Sequence, residues 1–194
     1  MIIGICGFKG SGKDTLADWL VENKNFRKIS FASVLKDIIS ILFNWNRKMM
    51  DGNTIEDRLF REKEDEWWSN KLGIKCTPRW VMQNIGTDLF RKHFNDNIWI
   101  FALEKRLHEN IDINFVISDV RFPNEIKFLK SMNATLIYIE REDPEEWFYN
   151  LDKVPKDLHI SEYAWIKHLP EICVKNKGTK EELYKNFEKI INST

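Results

Sequence analysis

The first seventeen residues, MIIGICGFKGSGKDTLA, limit what this chain can fold into more than any other stretch. A short apolar run (Ile2, Ile3, Ile5) leads into Gly7-Phe8-Lys9-Gly10-Ser11-Gly12-Lys13-Asp14-Thr15, and helix-forming residues follow. A buried strand, a glycine-rich turn and a helix start at this spacing make a phosphate-binding P-loop. Glycine takes positive φ without a Cβ clash, so the backbone can curl round an anion. Successive N–H groups and the positive end of the helix then point at one spot. Lys13 adds a mobile point charge for terminal phosphates, and Lys9 is a second cation beside them. Most loops of this kind place Ser or Thr directly after the lysine, for magnesium. Here that position is Asp14, and Thr15 follows one place later.

At 194 residues the chain reads as one domain with room for an inserted lid or subdomain. Thirty basic and thirty acidic residues balance to zero formal charge, which argues against nucleic acid as the main partner. A small anionic ligand needs only a few local cations and stays open. Cys6, Cys76 and Cys173 are scattered, with no metal or disulfide spacing, as in a reducing compartment. The N-terminus reads as a core strand rather than a signal peptide, and no apolar run reaches membrane-spanning length. The expectation is a soluble, cytoplasmic protein with no membrane partner. Eight Trp and thirteen Phe suggest a core-heavy aromatic supply with a few rings available to stack on a base.

Periodicity then organises the rest. Helices are expected over 15–23, over 34–43 with Ser33 as cap, from Pro78 with Thr77 as cap, over 97–109, over 122–132 and over 180–191. A short helix should open at Asp143-Pro144-Glu145-Glu146, and Thr179 with Glu182 forms a capping box. Strands are expected at the N-terminus and over 27–31, 113–118, 135–140 and 171–174. Residues 44–77 are charged and Trp-containing, without a strand pattern, and should form a helical wall of a cleft. The weakly periodic, charged stretch up to residue 168 reads as a lid. Alternating strands and helices mean a parallel sheet covered on both faces, with ligands at the carboxyl ends of the strands.

Candidate chemistry lies at those ends. Asp119 follows an apolar strand, where an acid can sit near magnesium or the P-loop lysine; aspartate is also common in plain turns and caps. Arg121, two places on, could reach transferring phosphates, and Arg141 past the next strand could close over them. Arg79, Gln83 and Thr87 share a polar stripe on the helix from Pro78, whose apolar stripe is Val81, Ile85 and Leu89. An arginine there suits a phosphate dianion, and a glutamine amide can read a base edge. Phe31 and Lys36 follow the second strand, near an acceptor position. His159, Ser161 and Glu162 form a compact polar cluster, but no nucleophile constellation surrounds it.

With these residues in view, the chain resembles the phage-type deoxynucleoside monophosphate kinases, also found in large DNA viruses. The resemblance rests on Gly10-Ser11-Gly12-Lys13-Asp14-Thr15, on Thr77-Pro78-Arg79-Trp80-Val81-Met82-Gln83 leading to Gly86-Thr87-Asp88, and on Ile117-Ser118-Asp119-Val120-Arg121-Phe122-Pro123-Asn124-Glu125. It continues with His159, Ser161 and Glu162, and the tract with Arg58, Arg61, Asp65 and Trp68 looks like an acceptor-side insertion. The GKDT ending is shared with phosphomevalonate kinases. The resemblance implies a three-layer α/β P-loop NTPase fold with a five-stranded parallel sheet, an insertion over 44–77 and a lid over 141–168. It also implies ATP and magnesium, a deoxynucleoside monophosphate acceptor and a homodimer.

On this reading Lys13, Asp119, Arg121 and Arg141 are catalytic. Gly7, Lys9, Gly10, Ser11, Gly12, Lys13, Asp14, Thr15 and Asn176 hold the donor, and Asp14, Thr15 and Asp119 order the metal. Phe31, Lys36, Arg79, Gln83, Thr87, Arg121, His159 and Glu162 bind the acceptor. Two other readings stay open here: a kinase for another small phosphorylated acceptor such as phosphomevalonate, and a P-loop ATPase or switch without an acceptor.

Overall fold

Five short runs, β1 (Ile2–Cys6), β2 (Phe26–Ile29), β3 (Asn114–Ile117), β4 (Thr135–Glu140) and β5 (Ile172–Lys175), pair as an all-parallel sheet in the order β2-β3-β1-β4-β5. The structure is a computed structural model that describes residues 1–110, 112–141 and 143–191; Glu142, in the expected lid, lies outside them. Helices follow in chain order: α1 (Lys13–Asn23), α2 (Ser33–Phe43), α3 (Ile55–Glu62), α4 (Glu66–Leu72), α5 (Pro78–Gln83), α6 (Ile98–His108), α7 (Pro123–Ser131), α8 (Glu146–Tyr149) and α9 (Lys180–Ile191). The chain divides into two compact units: Met1–Ser30 with Lys105–Thr194, and Phe31–Glu104.

In the first unit, β1 and β4 are buried almost throughout, as parallel strands covered on both faces must be. Alternation along β1 assigns the two layers. Ile3 and Ile5 face a core shared with Leu16, Ala17 and Leu20 of α1 and with Leu183 and Phe187 of α9. Trp19 stacks on Tyr184 at 5.0 Å and joins the two helices. The residue between them, Gly4, faces Leu129 of α7, which therefore covers the opposite side. Helix α9 starts with the expected box: Thr179 N–H donates to Glu182 Oε2 at 2.7 Å and Glu182 N–H to Thr179 Oγ1 at 3.2 Å.

The stretch after α8 is built of 3₁₀ turns, Leu151–Lys153, Ile160–Glu162 and Ala164–His168. Trp165 is 1 % exposed, so the far end of this stretch is packed against the unit. Glu145 precedes α8 without a side-chain cap bond, and α2 begins at Ser33 with Ala32, not Ser33, in the cap position. The cap position expected at Ser33 is therefore one residue earlier, and the backbone enters both helices without a side-chain cap bond.

The second unit contains the 44–77 tract and is helical, as its pattern suggested. Phe43, Trp45 and Trp68 pack ring to ring at 4.6 and 4.7 Å, with Trp45 Nε1 donating to Asp65 Oδ2 at 2.7 Å. Asp65 also caps α4 and Thr77 caps α5, with Pro78 in the first turn. Past Gln83 the helix widens into π geometry over Asn84–Phe94, ending where Asn95 N–H donates to Phe90 O at 2.9 Å. The Gly86 carbonyl in this segment accepts from Trp99 Nε1 at 2.9 Å. The wide turn breaks the 3.6-residue register. Val81 is buried as expected, but Leu89 is 54 % exposed, and Gly86, Thr87 and Arg91 take the buried face instead.

Ile137 sits at the middle of β4 with no exposed surface, between β1 and β5. Ile137→Ala should lower unfolding free energy by about 3 kcal/mol in urea titrations, the usual range for a core truncation. A loss below about 1 kcal/mol would contradict its central place.

Candidate active site

β1 and β3 are neighbours, so the turns leaving their carboxyl ends lie side by side, in the crevice where open parallel sheets bind ligands. The turn after β1 is the glycine loop. Gly7 and Gly12 have φ of +144° and +104°, and a Cβ on Gly12 would stand 2.5 Å from Asn176 Nδ2. Asn176, just past β5, donates Nδ2 to Ser11 O at 2.8 Å and its own N–H to Glu140 O at 2.7 Å, bracing the loop against the sheet. The donor-site residue expected at 176 thus grips the loop backbone. Ser11 Oγ is buried and has no hydrogen-bond partner among the described residues.

Lys13 opens α1 and folds back over the loop, donating to Gly7 O at 2.7 Å and Phe8 O at 2.6 Å. Burial pushes its pKa down to about 8, helped by the nearby Arg121 charge and opposed by Asp14 and Glu162. Two neutral carbonyls are weak partners for an ammonium, and an arriving phosphate is a better one. Arg141, exposed, likewise donates to a loop carbonyl, Gly10 O, at 3.0 Å. Lys9 lies exposed within the loop.

The two acids are each held by a hydroxyl from a neighbouring strand end. Asp14 Oδ1 accepts from Ser118 Oγ at 2.7 Å and lies 3.0 Å from Lys28 Nζ, which also donates to Asp18 Oδ1 at 2.9 Å. Burial pushes the Asp14 carboxyl up, but Lys28, the Ser118 bond and Lys13 together outweigh it and hold the pKa below the ordinary value. Asp119 Oδ2 accepts from Ser30 Oγ at 2.6 Å. Thr15 lies in the first turn of α1.

Arg121 completes this group. Its Nη1 donates to Glu162 Oε1 at 2.9 Å and to Ser161 O at 3.3 Å. Its backbone N–H and that of Phe122 both donate to Glu125 Oε2, at 2.7 and 3.0 Å, and Glu125 is 3 % exposed. Burial pulls the Arg121 pKa down, yet Glu162, Asp119 and Glu125 raise it overall, so the guanidinium stays charged. His159 Nδ1 accepts the Ser161 N–H at 3.2 Å and lies 2.8 Å from its hydroxyl, fixing the turn that carries Glu162.

The first unit thus brings together Lys13, Asp14, Asp119, Arg121 and Arg141 around the loop. The expected acceptor residues Phe31, Lys36, Arg79, Gln83 and Thr87 belong to the second unit. There Phe31 and Thr87 are buried, Lys36 pairs with Asp51 at 3.0 Å, Arg79 Nε donates to Glu62 Oε1 at 2.6 Å, and Gln83 ends α5 half-buried. Four residues here were not legible as site residues: Lys28, Ser30, Ser118 and Glu125. Ser118 and Glu125 stood in the quoted motif, but Lys28 carried no local signal at all.

The donor groups suit a nucleotide and magnesium. The positive-φ cradle, the orphaned Ser11 hydroxyl and the redirectable Lys13 fit a polyphosphate. Asp14, Thr15 and Asp119 offer oxygen only, the donors a hard cation prefers. No group of three His, Cys, Asp or Glu among the described residues forms a metal cage.

A family model described as deoxynucleotide monophosphate kinase matches residues 49–187. A protein of Acanthamoeba polyphaga mimivirus described as a deoxynucleotide monophosphate kinase is 34 % identical over 196 residues, covering 95 % of this chain and 92 % of that one. The deoxynucleotide monophosphate kinase of Escherichia phage RB69 is 24 % identical, with 98 % and 99 % covered. That of Enterobacteria phage T4 is 23 % identical, with 99 % and 98 % covered. In fold alone, the chain is similar to shikimate kinase from Aquifex aeolicus, at a TM-score of 0.50 and 18 % identity over 100 % and 97 % of the two chains.

A phosphate that replaces the two carbonyls should raise the Lys13 pKa from its depressed value of about 8. ADP binding at pH 8 should therefore take up roughly half a proton, read by calorimetry in buffers of different ionisation enthalpy. ADP affinity should hold steady up to that pH and weaken above it. Binding without proton uptake would contradict the placement of Lys13.

Proposed function

The chain belongs to the deoxynucleotide monophosphate kinase family, and on that premise we propose that it transfers the γ-phosphoryl group of ATP to a deoxynucleoside monophosphate, giving the diphosphate and ADP. One observation carries the reading from the chain's own side. A donor-phosphate loop with its lysine stands beside a second fixed cation, Arg121, close enough to depress that lysine's pKa. A loop that only bound a nucleotide would not need the second charge; a loop that moves a phosphoryl group between two anions does.

The acceptor phosphate is already a dianion near neutral pH, so no strong general base is required. Catalysis reduces to positioning and charge neutralisation of an in-line transfer. Lys13 and the loop amides hold the donor's β- and γ-phosphates, and Thr15 its α-phosphate. Arg121 neutralises charge on the acceptor side of the transferring group, and Arg141 exchanges Gly10 O for the migrating phosphoryl oxygens. Bound magnesium, held by Asp14, Thr15 and Asp119, would supply neutralisation of the donor phosphates. Phe31, Lys36, Arg79, Gln83 and Thr87 are the residues proposed to recognise the acceptor, with His159 and Glu162 shaping the turn beside Arg121. The segment 141–168 is proposed as the element that excludes water, which would otherwise turn a kinase into an ATPase. The working form is proposed as a cytoplasmic homodimer; no helix among the described residues is long and apolar enough to cross a membrane.

A coupled ADP-release screen over the four standard deoxynucleoside monophosphates, dUMP, the matching ribonucleotides and mevalonate phosphate tests the proposal. At least one deoxynucleotide should support turnover, and Lys13→Ala should lower kcat at least a hundredfold, roughly the cost of losing a charge-stabilising donor, with its thermal unfolding intact. ADP release that no monophosphate alters would overturn the acceptor assignment.

A further inference from the structure

Arg121 is held in an unusual way for a residue that must meet a phosphate. A guanidinium carries five N–H donors in one rigid plane. Here both side-chain hydrogen bonds come from a single nitrogen, Nη1, to the Ser161 carbonyl and the Glu162 carboxylate. The Nε and Nη2 donors make no hydrogen bond among the described residues. Two acceptors on one corner fix the plane and direction of the fork, and they leave its other edge for a bidentate anion.

The three-residue turn that supplies those acceptors is itself anchored. Trp165 Nε1 donates to Glu162 O at 3.0 Å, and the Trp165 ring is 1 % exposed. That ring meets Phe8 edge to face at 5.2 Å and Tyr138 of β4 at 5.4 Å. Phe8 belongs to the phosphate loop, and its carbonyl is one of the two that hold Lys13. The anchor of Arg121 and the donor loop therefore share one aromatic support. A carboxylate is also a poor direct ligand for a phosphate-bearing acceptor, since like charges repel at contact, whereas it is a good counter-ion for an arginine that such an acceptor must approach.

We propose that Glu162 is a positioning residue that acts through Arg121, its carboxylate and the Ser161 carbonyl pinning one corner of the guanidinium so that the opposite edge faces the transferring phosphate. This rests on the kinase reading above, and it replaces direct acceptor contact as the role of Glu162. Loss of the carboxylate leaves Arg121 charged but unaimed.

A double-mutant cycle on the full chain tests it, using the deoxynucleotide that turns over best. Glu162→Ala should lower kcat about tenfold or more, with KM for ATP changed less than about threefold. In an Arg121→Ala background the same substitution should change kcat less than about twofold, because its effect runs through the arginine. Glu162→Gln, which keeps an oxygen acceptor for Nη1, should fall between wild type and Ala; it also takes the place of Ala in the cycle if Ala does not fold. Equal losses in both backgrounds would overturn the proposal. A readout independent of turnover is the ¹⁵N spectrum of the arginine side chains. Separate, slowly exchanging Nη signals for Arg121 should collapse in Glu162→Ala, and unchanged signals overturn the anchor. If wild type turns over no deoxynucleotide, the kinase reading fails and the spectrum alone decides the anchor.

Discussion

The ammonium of Lys13 resting on the carbonyls of Gly7 and Phe8 is the interaction on which the rest of this structure depends. A site that handles polyphosphates must gather positive charge in one place before any anion arrives, and like charges at short range repel. The chain meets this with internal partners. Lys13 and Arg141 lean on loop carbonyls, Arg121 on Glu162, and Lys28 on Asp14 and Asp18. The loop carbonyls under Lys13 and Arg141 are partners that a phosphate can replace, whereas the Glu162 carboxylate stays on one corner of Arg121. The zero formal charge of the whole chain is consistent with this arrangement, because the positive field is local.

The sheet is what brings these groups within reach. β1 lies between β3 and β4, so the loop after β1 is flanked by the turn that carries Ser118, Asp119 and Arg121 and by the chain leaving β4 at Arg141. β2 lies beyond β3 and contributes Lys28 and Ser30 to the same edge. Two strands, β2 and β3, thus deliver a cation or a hydroxyl to two carboxylates, Asp14 on α1 and Asp119 after β3. From β5 comes Asn176, which occupies the space a Cβ on Gly12 would need. The glycine is therefore fixed twice, by its positive φ and by its neighbour.

Much of this was legible in order along the chain. Apolar runs announced all five strands, and capping chemistry at Thr77, Thr179 and Glu182 marked helix starts that the structure reproduces. The glycine loop with Lys13 announced the phosphate site. What stayed hidden was of two kinds. Leu89 was misplaced because a π turn resets the helical register, and its stabilising bond, from Trp99 to Gly86 O, comes from another helix. Lys28, Ser30 and Glu125 were invisible because their partners are tertiary or backbone: Asp14, Asp119 and the Arg121 N–H. Glu162 was visible as polar and near the site, but its role depends on which nitrogen of Arg121 it touches, and no sequence pattern fixes that.

The most direct test of the central claim, that fixed charge lets a phosphoryl group pass straight from one bound anion to another, is the stereochemical course at phosphorus. ATP made chiral at its γ-phosphorus with sulfur and oxygen isotopes would be turned over with the preferred deoxynucleotide, and the configuration of the product read by ³¹P NMR. Direct in-line passage over the loop predicts inversion. Retention would mean that the group first rests on the protein, and would contradict the account.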